Sequence, residues 1–144
     1  MALKIRGYAS IFRNVDQVGE IVDPGAFSDW IAENPTKSLP IFWAHDHIWD
    51  PAARPIGKTT KLRQDSKGLY YEAELADTAK AEEIQQLIKN GAATDASFAF
   101  RVNDQYQLDE VWHLSSLDPT EITVCTWGAN PEAYTETIPE GDEG

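Results

Sequence analysis

The sequence predicts an α+β fold that is mainly antiparallel β, a sheet of six or seven strands flanked by two helices. Three observations lead there. Short segments that alternate apolar and polar residues recur along the chain, polar turn residues separate them, and only two stretches carry the i, i+3, i+4 apolar spacing of a helix. With 42% hydrophobic residues in 144, the chain can bury about two thirds of the surface it exposes when unfolded, which suits one core. A single domain is therefore expected over residues 1–138. The remaining 139–144, Pro-Glu-Gly-Asp-Glu-Gly, have nothing to bury and are expected to form a flexible acidic tail. The pattern alone fits a closed barrel or an open sheet.

In chain order, residues 4–12 read as a first strand, followed by a turn over 14–19. Asp23-Pro24 has the form of a helix cap with proline in the first turn. Phe27, Trp30 and Ile31 supply an apolar stripe, and Pro35 ends the run. The compact apolar segment 39–44 predicts a buried strand that leads into His45-Asp46-His47. Segments 56–63 and 69–75 read as a hairpin with Leu69, Tyr71, Ala73 and Leu75 on one face. Residues 77–90 carry the clearest helix signal, since Ala81, Ile84, Leu87 and Ile88 form one stripe and Gly91 can close the helix in the left-handed conformation. Three further strands are predicted at 96–102, 106–114 and 121–127, the first two joined by a turn at Asn103-Asp104.

Charge and segment character narrow the function. A formal net charge of −12 repels phosphate backbones, and Lys and Arg are nowhere dense enough to form a nucleic-acid or anionic-lipid surface. Neither nucleic acid nor membrane is an expected partner. The sequence has no apolar signal region at its start and no run of about 18 apolar residues that could span a bilayer, so a cytoplasmic location is expected. The single Cys125 excludes an internal disulfide and fits a reducing compartment.

A serine hydroxyl needs an imidazole within hydrogen-bond reach to act as a nucleophile, and usually an acid to orient that imidazole. The chain has three histidines, His45, His47 and His113. Ser97 lies on a strand whose alternation places Ala99 and Arg101 on its face and Phe98, Phe100 and Val102 on the other. Glu121 shares a face with Thr123 and Cys125. Spacing alone favours an ordinary solvent-facing serine at Ser97 and an exposed strand carboxylate at Glu121. His45 and His47, at i and i+2 of an extended segment with Asp46 or Asp50 nearby, also fit a zinc or manganese site. Cys125, mid-strand beside Val124, reads as a packed thiol.

Several blocks of the sequence resemble the prohead (capsid maturation) serine proteases of tailed phages. Gly7-Tyr8-Ala9-Ser10-Ile11-Phe12 comes first, with Val15-Asp16 and Pro24-Gly25-Ala26-Phe27 after it. Trp43-Ala44-His45-Asp46, Pro55-Ile56-Gly57, Lys67-Gly68-Leu69-Tyr70 and Leu87-Ile88-Lys89-Asn90-Gly91 follow. Ser97-Phe98-Ala99-Phe100, Glu121-Ile122-Thr123-Val124 and Ala129-Asn130-Pro131-Glu132-Ala133 complete the order. Two positions depart from the common pattern. Phe98-Ala99 stands where many relatives have isoleucine and glycine, and Trp127-Gly128 stands where Phe-Pro is common, which implies a more flexible loop.

The resemblance implies a small β-barrel flanked by helices, similar to the herpesvirus assembly protease. It implies Ser97 as nucleophile, His45 rather than His47 as general base, and Glu121 as third member, with no cofactor and no metal. Backbone N–H groups or Arg101 are the candidate oxyanion donors. The substrates implied are the scaffolding protein and the major capsid protein inside an immature phage prohead in the host cytoplasm, and the protease itself. A homodimer is an assembly that the resemblance allows. Two rivals are a non-catalytic internal scaffold and a metal-dependent hydrolase at His45 and His47.

Overall fold

The computed structural model describes residues 3–139. Eight strands are present: β1 (Lys4–Ile11), β2 (Glu20–Val22), β3 (Pro40–Trp43), β4 (Gly57–Gln64), β5 (Gly68–Leu75), β6 (Asp95–Leu108), β7 (Val111–Cys125) and β8 (Tyr134–Thr137). The helices are α1 (Ser28–Glu33) and α2 (Ala79–Lys89). Seven strands follow the order β7-β3-β4-β5-β1-β8-β6, and β6 pairs back to β7, so the sheet closes into a barrel. Closure gives each barrel strand a neighbour on both sides, although β8 meets β6 only at the pair Asp95–Tyr134 among the described residues. Most pairs are antiparallel; β3 and the outlying β2 both run parallel to β7.

The barrel forms where the alternation is strict. Leu69, Tyr71, Ala73 and Leu75 of β5 are at most 1% exposed, and the last three join Ile5, Ile41, Ile122 and Val124 in the main core. Ala81, Ile84 and Ile88 lay the predicted stripe of α2 on the same core. Thr78 caps α2 by accepting a hydrogen bond from the Ala81 amide, and Gly91 follows the helix with φ +86°. A smaller core gathers Phe12, Phe27, Leu69, Leu114 and Leu117. The closing contact depends on Gly7, where a Cβ would lie 1.9 Å from the Tyr134 carbonyl oxygen of β8. Only glycine lets the two backbones approach this closely.

Three local expectations are corrected. The predicted turn at Asn103-Asp104 lies within β6, where the register shifts on either side of Asp104; polar turn-formers are accommodated there as strand irregularities. The hairpin turns instead at Asp109-Glu110, with φ of 52° and 67°, the left-handed pair that a two-residue connection requires. The 106–114 strand is thus split between β6 and β7, and β7 runs unbroken to Cys125. Helix α1 starts at Ser28, later than Asp23-Pro24 implied, because Asp23 does not cap it. The Asp23 carboxylate accepts a bond from the Tyr106 hydroxyl and is bound to His113 Nδ1 on the long hairpin. Strands β2 and β8, of three and four residues, are too short to show alternation. The tail expected at 139–144 lies, from residue 140 onward, outside the described residues.

Candidate active site

Three elements of the barrel wall meet at the site. In the antiparallel β6–β7 pair, Ser97 stands opposite Thr123 and Ala99 opposite Glu121. Ser97, Thr123 and Glu121 therefore occupy one patch of the sheet. The third element is β3, whose parallel register places Phe42 beside Thr123 and Trp43 beside Val124. Beyond Trp43 the chain leaves the sheet through two left-handed residues, Ala44 (φ 53°) and His45 (φ 52°), into a short 3-10 turn over Asp46–Ile48. The Ala44 amide still donates to the Val124 carbonyl at 2.9 Å. The His45 amide donates to Thr123 Oγ1 at 3.1 Å. Asp46, 9% exposed, pairs with Lys80 at the start of α2, tying the histidine turn to that helix.

His45 bridges the other two predicted residues. Its Nδ1 lies 2.5 Å from Glu121 Oε1 and its Nε2 lies 3.1 Å from Ser97 Oγ. Glu121 is 2% exposed and its second oxygen accepts a bond from the Thr123 hydroxyl at 2.7 Å. An ionised carboxylate can only accept, so this arrangement assigns the imidazole proton to Nδ1 and leaves the Nε2 lone pair facing the Ser97 hydroxyl. Such a chain can take a proton from a hydroxyl and hold the resulting imidazolium next to a fixed negative charge.

The remaining candidates fall into different places. His47 belongs to the 3-10 turn, not to an extended segment, yet its Nε2 is 3.9 Å from Glu121 Oε1 and its ring lies on Phe42 with centroids 4.5 Å apart. His45, His47 and Glu121 each bring a ligand atom within 4.8 Å of the others, a set that could hold a metal ion. In that set Glu121 offers a third ligand atom, whereas Asp46 and Asp50 are turned to Lys80 and to the Ala52 amide. Arg101 does not line the cavity at Ser97; it lines a separate groove with Trp30, Lys37 and Asp118. A register shift opposite Thr120 twists the pair between Ala99 and Phe100 and carries Arg101 away. His113 is bound to Asp23, far along the hairpin. The Cys125 thiol is pushed up to about 11 by burial and then by the nearby charges of Asp95 and Glu121, so it is protonated at neutral pH.

Thr123 joins the candidate site through its bonds to Glu121 and the His45 amide, and its place on the Glu121 face was visible in the alternation. Gly128 also has a different part from that expected. A Cβ there would lie 2.6 Å from the Ala96 carbonyl oxygen, and its amide donates to Asp95 at 3.0 Å. Glycine at 128 thus lets the following segment pack against the strand that carries Ser97.

The chain aligns with the prohead protease of Enterobacteria phage HK97 at 34% identity over 131 residues. The alignment takes in 88% of this chain and 56% of the phage protein, so the chain spans little more than half of that relative's length. Among solved structures, a Kaposi's sarcoma-associated herpesvirus protease in complex with a hexapeptide phosphonate inhibitor superposes with a TM-score of 0.64 at 16% identity, covering 94% of this chain and 64% of that one. A protease of the same virus in complex with a dimer disruptor gives a TM-score of 0.56 at 14% identity, covering 95% and 76%. At such identities the likeness is one of fold, and it matches the closed, mostly antiparallel barrel. The family described as Caudovirus prohead serine protease matches residues 1–142, and the chain belongs to that family.

Proposed function

We propose that this chain is a serine endopeptidase of phage capsid maturation, with Ser97 as nucleophile, His45 as general base and Glu121 as the acid that orients and stabilises the imidazolium. The observation that carries this reading is the hydrogen-bonded order Ser97 Oγ, His45 Nε2, His45 Nδ1, Glu121 Oε1, at 3.1 and 2.5 Å. Ser97 loses its proton to Nε2 as Oγ bonds to a peptide carbonyl carbon. The same proton passes to the departing amine, and water then releases the acyl group by the reverse use of His45. No cofactor enters these steps.

Family membership supports scaffolding protein and major capsid protein as substrates, cleaved within the immature shell in the host cytoplasm, with the protease's own flanking segments as further substrates. We take residues 1–138 as one protease domain. A homodimer belongs to the same proposal. The dimer disruptor bound to one of the similar herpesvirus proteases gives it support, and confinement in a shell would raise the dimer fraction by mass action.

A metal-dependent reading draws on the His45, His47 and Glu121 cluster and on the His47 Nε2, a buried nitrogen without a hydrogen-bond partner. The serine reading accounts for more, because both nitrogens of His45 already have partners that fit proton transfer. Labelling with a fluorophosphonate probe separates the two. Label on Ser97 that persists in chelator and is absent from Ser97→Ala is the expected result. Label lost in chelator would favour the metal site, and no label on folded protein at concentrations high enough to dimerise would favour a non-catalytic scaffold.

A further inference from the structure

A cavity of about 230 Å³ opens beside the Ser97–His45 pair. Its walls are apolar, with Val18, Val22 and Phe98 among them, but Asp16, Glu20 and Ser10 also line it. No lysine or arginine among the described residues faces these two carboxylates across the cavity. Asp16 is held in place because one of its oxygens accepts the amides of Val18 and Glu20, both at 3.0 Å. Glu20 is raised above the usual carboxylate range by burial first and by the Asp16 charge second. Ser10 gives an independent indication. The residue is 1% exposed and its hydroxyl oxygen has no hydrogen-bond partner in the protein. A buried polar atom of this kind is costly unless a ligand or water satisfies it.

Two carboxylates, which accept, and a hydroxyl, which can accept as well as donate, set among apolar walls match a side chain with an aliphatic stem and a cationic head. We propose that this cavity is the specificity subsite of the protease and takes a lysine or arginine side chain on the acyl side of the scissile bond. The inference rests on the serine protease reading of the same site. The acyl side follows from geometry: Ser97 Oγ bonds to the carbonyl carbon of that residue, so its side chain branches closest to the nucleophile and is the one that reaches the adjoining cavity. A cation entering there meets the charges of Asp16 and Glu20 in a partly dehydrated setting, where a charged hydrogen bond counts for more than in water.

The test compares two diphenyl phosphonate probes that label an active serine, one carrying a lysine side chain at the position next to phosphorus and one carrying norleucine, its uncharged counterpart. The lysine probe is expected to label Ser97 at least about tenfold faster, the ratio that one charge-assisted bond supplies. In Glu20→Gln, and in Asp16→Asn, that ratio falls toward one. Equal rates for the two probes on the wild-type protein, with Ser97 still labelled by a plain fluorophosphonate, overturn the subsite and leave the protease reading intact. Failure of every probe to label Ser97 overturns both. Because the wild-type ratio decides the matter, a variant that misfolds does not rescue the proposal.

Discussion

Thr123→Val removes one oxygen from the centre of the site and keeps the shape of the side chain. Thr123 is fully buried, donates to Glu121 Oε2 at 2.7 Å and accepts the His45 amide at 3.1 Å. Valine leaves a backbone donor and a carboxylate oxygen without these partners. Orphaning such groups costs about 1–3 kcal/mol, so a stability loss of ~2 kcal/mol is expected, or about 4–8 °C in Tm for a chain of this size. The catalytic effect follows a different route. Glu121 loses its second anchor and His45 loses its backbone anchor, so both partners of the 2.5 Å contact gain freedom. If the charge-assisted bond contributes its usual ~1.5–3 kcal/mol to fixing the imidazole, the rate of Ser97 labelling falls about 10- to 100-fold. Thr123→Ser keeps the hydroxyl and loses a methyl group. It should label within about threefold of wild type while still losing ~1 kcal/mol of stability. The assay pairs the second-order rate of fluorophosphonate labelling with thermal unfolding by circular dichroism. A valine variant with lowered Tm and unchanged labelling rate would refute the positioning role and leave Thr123 a packing residue.

Two further outcomes follow from the barrel. Gly7→Ala drives a Cβ to within 1.9 Å of the Tyr134 carbonyl oxygen, and β1 is paired to β5 on its other edge and cannot retreat. A loss of about 2–4 kcal/mol is expected in urea unfolding, and a loss below about 0.5 kcal/mol would show that β8 gives way freely. Cys125 should make stability fall at alkaline pH. Its folded pKa, about 11, exceeds the ordinary value of 9.0, so its contribution is complete below pH 9 and is lost as pH rises through 11. Over that interval the loss is on the order of 2 kcal/mol. Cys125→Ala should flatten this part of the curve, and an unchanged slope between pH 9 and 11 would assign the decline to other groups.

What could be read in advance depended on how much of each element's fate was local. The β4–β5 hairpin and α2 announce themselves because a single face of each is buried, so period 2 and period 3.6 survive in the residues. Strands β2 and β8 carry no such signature. They exist because neighbouring strands offer unpaired backbone groups, and three or four non-proline residues can pair with them whatever their side chains. Asn103-Asp104 misled for the related reason that turn-forming residues act only where the chain has room to turn; within β6 the pairing with β7 prevails. The candidate site was legible through the resemblance and not through spacing. Nothing local distinguishes Ser97 from a solvent-facing serine until β7 sets Thr123 opposite it. Glu121 likewise reads as an exposed carboxylate until the histidine turn covers it to 2% exposure.

That cover depends on the parallel seam between β3 and β7. An antiparallel neighbour would return by a short loop, but a parallel one ends at the same end of the barrel as its partner. Here β3 stops at Trp43, alongside Val124, and the chain must turn at once or leave the barrel. Ala44 and His45 make the turn in a conformation that costs each non-glycine residue about 1–2 kcal/mol. Glycine at either position would relieve that cost. The strain is held by bonds to β7 at both residues, from Ala44 to the Val124 carbonyl and from His45 to the Thr123 hydroxyl. The second of these ends on the same hydroxyl that fixes Glu121. Backbone strain at His45, anchorage of its amide and the second bond of Glu121 thus meet in one side chain, so a shift of the turn that places the imidazole also disturbs the carboxylate bonded to it.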